Sequence, residues 1–144
     1  MRISEILRNK GSDVVTVQPD ETVRRLLDIM REHNLGAAVV STDGRQLAGI
    51  VSERDVVRRL VDGPQVLDAT VESIMTGAAT LHSCTAADTV DALAQLMTNE
   101  RIRHVPVVDE DGLLAGIVSI GDVVKSRIGE LQFERDELEH YVNS

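Results

Sequence analysis

Eleven residues, Leu47-Ala48-Gly49-Ile50-Val51-Ser52-Glu53-Arg54-Asp55-Val56-Val57, recur as Leu114-Ala115-Gly116-Ile117-Val118-Ser119-Ile120-Gly121-Asp122-Val123-Val124. Nine of the eleven are identical, with the offset from Leu47 to Leu114 kept throughout. The register holds upstream, where Thr22-Val23, Leu26 and Met30 match Thr89-Val90, Leu93 and Met97 at the same offset. A spacing kept over so long a span means two copies of one structural unit, and repeats of this kind bury their apolar faces by stacking on each other.

Each copy carries the same pattern. Val14–Val17 reads as a short strand, answered by Ala79–His82. Val23, Leu26, Leu27 and Met30 then fall at i, i+3, i+4 and i+7, the period of an amphipathic helix, and Val90, Leu93, Ala94 and Met97 do the same. Two apolar runs follow, Ala37–Val40 and Leu47–Val51 around Asp43-Gly44, or Val105–Val108 and Leu113–Val118 around Asp111-Gly112. Continuous runs of this length suit strands buried on both faces. A closing helix presents Val56, Val57, Leu60 and Val61, or Val123, Val124 and Ile128. The predicted fold class is α/β (α+β), with two β-α-β-β-α units packed as a pseudo-twofold pair.

Val71–Met75 reads as a helical lead-in to the second unit and Ile3–Leu7 as a lead-in to the first, with Asp62-Gly63-Pro64 as the breaker between them. The expected division is residues 1–64 for unit one with its lead-in helix, 65–128 for unit two, and 129–144 for a C-terminal helical extension. A unit of about 60 residues is marginal alone, so the two should share one body.

Charge excludes several functions. The net charge is −9. Residues 1–65 hold ten basic and ten acidic side chains, and residues 66–144 hold five and fourteen, so the excess lies in the second half. An acidic chain repels nucleic-acid phosphates, and Phe133 and Tyr141, its only aromatics, make no platform for stacking bases. No run of about 18 apolar residues is present to span a membrane. The start, Met1-Arg2-Ile3-Ser4-Glu5-Ile6, does not read as a signal peptide. The single cysteine, Cys84, cannot form an internal disulfide and suits the cytoplasm.

Two units ending in Gly-Ile-Val-Ser-x-x-Asp-Val-Val, with Ile74-Met75-Thr76 before the second and Arg103-His104-Val105-Pro106-Val107-Val108 within it, resemble the paired CBS (cystathionine β-synthase) domain proteins. The resemblance covers residues 3–128, and the stretch from Val123 to Asn143 is similar to the ending of short bacterial proteins that consist only of a CBS pair. It implies a regulatory module without catalysis of its own. It further implies a cleft that binds adenosine-containing ligands such as AMP, ADP, ATP or NAD(H), and head-to-head homodimers. A module attached to no enzyme or channel acts through another protein, whose identity the residues do not reveal.

Ser52-x-x-Asp55 and Ser119-x-x-Asp122 sit where a strand gives way to a helix. As local structure this is a serine N-cap with a carboxylate near the positive end of the helix dipole. As a site, the resemblance implies that the carboxylate accepts hydrogen bonds from the ribose hydroxyls, while free N–H groups at the helix start face a phosphate. One serine can cap while the aspartate binds. The cleft expected to hold nucleotide is the second, with Ser119, Ile120, Gly121 and Asp122, joined by Arg103, His104, Val105, Pro106 and Thr80. Ile120 and Gly121 offer an apolar slot for adenine, and Arg103-His104 supplies positive charge. The first cleft would use Ser52, Asp55, Arg54, Thr16, Gly36 and Ala37, with Arg54 either pairing a phosphate through its planar fork or lying in solvent. AMP is favoured over ATP because a triphosphate would meet an already acidic chain, and NAD(H) presents the same AMP half.

Three further features compete for attention. His82-x-Cys84 would place an imidazole and a thiol on one face of a strand, yet a metal needs three or four ligands and His33, His104 and His140 show no such spacing. The stretch Gly121–Val142 reads as one helix with Val124, Ile128, Leu131, Leu138 and Val142 along a stripe interrupted by Arg135. That stripe either folds back on its own core or makes a ligand-independent interaction arm. Ile29 and Leu96, at equivalent helix positions outside the core stripe, predict a second buried face between subunits.

Overall fold

The computed structural model describes residues 1–143. Its elements, in chain order, are α1 (Ile3–Lys10), β1 (Thr16–Val17), α2 (Val23–His33), β2 (Ala37–Val40), β3 (Gly49–Ser52), α3 (Glu53–Leu60), a 3₁₀ turn at Pro64–Asp68, α4 (Val71–Ile74), β4 (Thr76–Gly77), α5 (Val90–Glu100), β5 (His104–Val108), β6 (Leu114–Ser119) and α6 (Ile120–Asn143). The mixed α/β architecture with twofold repetition follows the sequence pattern closely. Among the described residues no helix is long and apolar enough to cross a membrane.

Local chemistry sets the helix ends. The Thr22 hydroxyl accepts from Arg25 N–H at 3.1 Å, and Thr89 does the same for Ala92 N–H at 3.1 Å, so α2 and α5 begin on matched caps. Both helices end on a left-handed residue at matched positions, Asn34 (φ 54) and Arg101 (φ 55). Asparagine is at home there, whereas arginine is an uncommon occupant.

In the first sheet β1 runs parallel to β2, and β2–β3 and β3–β4 are antiparallel. The second sheet is the antiparallel pair β5–β6. The strand expected at Ala79–His82 does not form: Ala78–Thr80 is a turn, and the counterpart of β1 is a single parallel bridge from Cys84 to Val107. The reason is register. Val17 and Val40 pair in the first unit, and the repeat offset carries them onto Cys84 and Val107.

The lead-in helices pack on the opposite units. Ile3 and Ile6 are buried with Val90, Leu93, Met97, Val105, Val107, Val118 and Val123. Val66, Val71 and Ile74 are buried with Val17, Val23, Leu26, Val40, Val51 and Val56. Matched backbone bonds fix both, Ile3 N–H to Asp88 O at 3.0 Å and Val71 N–H to Glu21 O at 2.8 Å. Packing therefore crosses the division drawn from sequence, since β4, which comes after α4, pairs with β3 of the first unit.

Two apolar assignments need correction. Ile29 is buried in the first core and is not left for a second subunit, while Leu96 is half-buried against the second core. On the closing helices only Val56 and Val123 are buried, while Val57, Leu60, Val61, Val124 and Ile128 are exposed. The helices touch the core along one edge only. The remainder of α6 carries Leu131, Phe133, Leu138, Tyr141 and Val142, all exposed, so the C-terminal helix does not fold back onto its own core.

Close approach explains one repeated glycine. A Cβ on Gly49 would lie 2.6 Å from Thr76 O and 2.7 Å from Met75 Sδ, because β4 presses directly on β3 there. Gly49→Ala should lower the urea midpoint by an amount equivalent to about 1–3 kcal/mol, the usual range for overpacking. Gly77→Ala, whose methyl meets open space, should leave the midpoint nearly unchanged. Equal midpoints for the two variants would contradict this packing.

Candidate functional site

Both Ser-x-x-Asp motifs close reciprocal caps. Asp55 Oδ2 accepts from Ser52 N–H at 2.8 Å, and Ser52 Oγ lies 3.4 Å from the Asp55 backbone nitrogen. Asp122 Oδ2 accepts from Ser119 N–H at 2.9 Å, and Ser119 Oγ from Asp122 N–H at 3.2 Å. The capping reading thus holds in both units, with each carboxylate anchored through one oxygen. The helix starts are less open than the sequence suggests. Glu53 N–H already bonds Gly36 O at 3.0 Å and Ile120 N–H bonds Arg103 O at 2.8 Å, leaving fewer free donors for a phosphate.

The two motifs differ in what lies in front of them. A cleft of about 450 Å³ opens at the first, lined by Gly36, Ala37, Ile50, Ser52, Glu53, Arg54, Asp55, Arg58, Thr76 and the segment from Glu100 to His104. That volume falls within the range of small-molecule sites. Its walls come from both units: α3 and β3 on one side, and the approach to β5 on the other. Arg54 ties them, donating from Nη1 to Arg101 O at 3.0 Å. Arg54 is exposed, and this bond orients its side chain along the cleft.

At the second motif Lys10, from the end of α1, lies across the carboxylate. Its ammonium donates to Asp122 Oδ2 at 2.7 Å and to Ile117 O at 2.9 Å. Burial works to raise the Asp122 carboxyl, but the Lys10 and Ser119 hydrogen bonds prevail and hold it below its ordinary value.

Of the sequence candidates, Gly36, Ala37, Ser52, Arg54, Asp55, Arg103 and His104 converge on the one cleft. Arg103 and His104, expected to serve Asp122, line the Asp55 side as well. Ser119, Ile120, Gly121 and Asp122 stand together at the start of α6 but do not line that cavity. Val105 and Pro106 are buried within β5, where Pro106 O accepts from Cys84 N–H at 3.0 Å. Thr80 lies in an exposed turn, its hydroxyl 3.4 Å from Gly77 O. Thr16, on β1 opposite Val39, is not among the lining residues.

Several lining residues escaped the sequence reading. Arg58 sits one helical turn beyond Arg54, a spacing that puts both on one face. Thr76 belongs to the Ile-Met-Thr triplet, but only the β3–β4 pairing brings it to the cleft. Arg101 had no local signal except its match to Asn34.

The cleft carries four arginines, Arg54, Arg58, Arg101 and Arg103, against three carboxylates, Glu53, Asp55 and Glu100. This is a cationic balance within an acidic chain. Burial pushes His104 below its ordinary value. Glu53 and Asp122 oppose that shift, and Lys10 and Arg103 add to it. A Cβ on Gly36 would fall 3.0 Å from Glu53 Oε1 and 3.2 Å from His104 Cε1, which leaves little room there for anything larger than glycine.

Two α/β units with exchanged lead-ins and a cleft between them define a paired-repeat module. The chain belongs to the CBS domain family, whose model matches residues 3–62 and 71–129. It is 38% identical over 147 residues to a mitochondrial CBS domain-containing protein of Arabidopsis thaliana, covering 97% of this chain and 71% of that protein. The fold matches the crystal structure of a CBS-domain containing protein from Agrobacterium tumefaciens with a TM-score of 0.81 and 40% identity, over 88% of this chain and 98% of that one. It also matches a Pyrobaculum aerophilum CBS domain protein complexed with AMP, with a TM-score of 0.74 and 28% identity, over 85% and 89% of the two chains.

His82 and Cys84 make no reactive pair. His82 Nε2 faces Glu100 at 3.5 Å, while the Cys84 thiol is buried and pushed up to about 12 by that burial, with Asp88 adding to it. Among the described residues no group of three or more His, Cys, Asp or Glu side chains is placed to hold a metal ion. At pH 8 such a thiol is ionised to roughly one part in 10⁴, against about a quarter for a free cysteine. Native protein should therefore resist iodoacetamide for hours and react within minutes in urea. Rapid labelling of the folded chain would show that Cys84 is accessible and activated.

Proposed function

We propose that the chain is a regulatory module that binds an adenine nucleotide, AMP in the first instance, in the cleft at Asp55, and turns over no substrate there. The observation that carries this reading is a cavity that joins a cap-anchored carboxylate to four arginines drawn from both units. Asp55 offers its free oxygen to a ribose hydroxyl, while Arg54, Arg58, Arg101 and Arg103 suit a phosphate, for which the arginine fork is well shaped. The AMP complex of the Pyrobaculum relative supports the choice of ligand. Because nearby carboxylates offset most of the arginine charge, one phosphate is better matched than three, which favours AMP over ATP. NAD(H) fits through its AMP half. A cell compartment that keeps Cys84 reduced, the cytoplasm, suits such a sensor, and its output passes to a regulated partner protein.

Titration calorimetry should show AMP binding to the unmutated chain. Asp55→Asn should lose at least ten-fold in affinity, the scale of a charge-assisted hydrogen bond of about 1.5–3 kcal/mol. If AMP, ATP and NADH all fail to bind, the alternative of a ligand-independent interaction module acting through the exposed C-terminal helix replaces this reading.

Self-association has its own observation. Val57 on α3 and Val61 just after it correspond, at the repeat offset, to Val124 and Ile128 on α6, and all four are exposed, from 49% to 88%. The same apolar positions left bare in both repeats suit a homodimer that covers both closing helices. Ile128→Glu would place a carboxylate in that interface. Light scattering should report a dimer for the unmutated chain and a shift toward monomer for the variant; a monomeric unmutated chain at tens of micromolar, roughly the range of ordinary complexes, excludes it.

A further inference from the structure

We propose that Lys10 decides which of the two clefts a nucleotide can enter, obstructing the second by lying along its β6–α6 wall, from Ile117 O to Asp122, and leaving the first open. This rests on reading the Asp55 cleft as a nucleotide site. The repeat supplies the comparison within one molecule. Ile50 and Asp55 both line the open cavity, and their counterparts in the second copy are Ile117 and Asp122. Those two groups are the ones that the Lys10 ammonium joins, at 2.9 and 2.7 Å. The pair is partly exposed, with the Lys10 side chain 34% and that of Asp122 21% accessible. A ribose approaching Asp122 meets a charge-assisted hydrogen bond already made.

The difference between the clefts comes from where each lead-in helix stops. Both lead-ins dock alike, as the paired bonds of Ile3 to Asp88 and Val71 to Glu21 show. Beyond that point they diverge. Helix α1 continues to Lys10, where Gly11, at φ +95, ends it with its N–H on Leu7 O at 2.8 Å. Helix α4 stops at Ile74, and the chain becomes β4, hydrogen-bonded to β3. Aligning the lead-ins on Ile3 and Val71 places Ala78 opposite Lys10. The Ala78 N–H bonds Ala48 O at 3.0 Å, and its methyl brings no charge to Asp55. One extra turn of helix thus delivers a cation to one cleft and none to the other.

Calorimetry of AMP with the unmutated chain and with Lys10→Met tests the stoichiometry. The unmutated chain should take one AMP per chain and Lys10→Met two, the second lost on adding Asp122→Asn, with thermal melts confirming that each variant is folded. Two equivalents on the unmutated chain, or one on folded Lys10→Met, would overturn the proposal. A ligand-free measurement stands beside this. The chain has two lysines, Lys10 and Lys125, so reductive ¹³C-dimethylation gives two readily assigned lysine signals. The Lys10 signal should stand apart from that of Lys125 and move toward it in Asp122→Asn; indifference to that substitution removes the bridge. If AMP binds neither protein, the nucleotide reading falls, and the Lys10 bridge is then judged by the ¹³C signals alone.

Discussion

The exchange of lead-in helices is the constraint on which the remaining structure depends. Ile3 and Ile6 complete the second core, and Val71 and Ile74 complete the first, each almost fully removed from solvent. Burial of such side chains stabilises by about 1.5–3 kcal/mol apiece, so neither unit can fill its core without a segment from beyond its own repeat. The exchange also aims the chain as it leaves each helix. After α4 the chain lies against β3 and brings Thr76 to the first cleft, and the last turn of α1 brings Lys10 to the second. Core packing and site chemistry are thus settled by the same two short helices.

A near-symmetric scaffold carries an asymmetric site through few substitutions. The caps are almost superposable in their hydrogen bonds, Ser52 with Asp55 and Ser119 with Asp122. What differs is charge. Glu53-Arg54 stands against Ile120-Gly121, and Gly36-Ala37 against Arg103-His104. Because α3 faces the approach to β5 across the first cleft, the arginines of unit two line the same cleft as those of unit one. An acidic chain thereby concentrates its positive charge where a phosphate would need it, without altering its overall balance. The carboxylate at each helix start does two jobs, since the oxygen that anchors it to the cap also fixes the orientation of the other.

The closing helices show the same economy in apolar residues. Val56 and Val123 hold them to the cores, and the neighbouring stripe is left to solvent in both units. In α6 that stripe runs on to Val142 along a helix of 24 residues, about 36 Å at the usual rise. The exposed apolar positions of α6 begin at the body of the pair, where the matching α3 positions are exposed too.

By itself the sequence determined the repeat, the β-α-β-β-α order, the positions of α2 and α5, and the capping serines with their aspartates. All of these depend on periodicity or on contacts within a few residues. The core faces of α2 and α5 were legible for that reason, as were Asp55 and Arg54 as candidates. Tertiary structure alone decided the rest. Ile29 looks spare on a helical projection, yet neighbouring segments bury it, and they half-cover Leu96. The pairing of Cys84 with Val107 shifted the second unit's first strand past Thr80. The contact between Lys10 and Asp122, 112 residues apart and meeting at 2.7 Å, was invisible because no local pattern records it. Local pattern records which residues can cap, pack or carry charge; only the folded chain brings distant segments, such as Lys10 and Asp122, into contact.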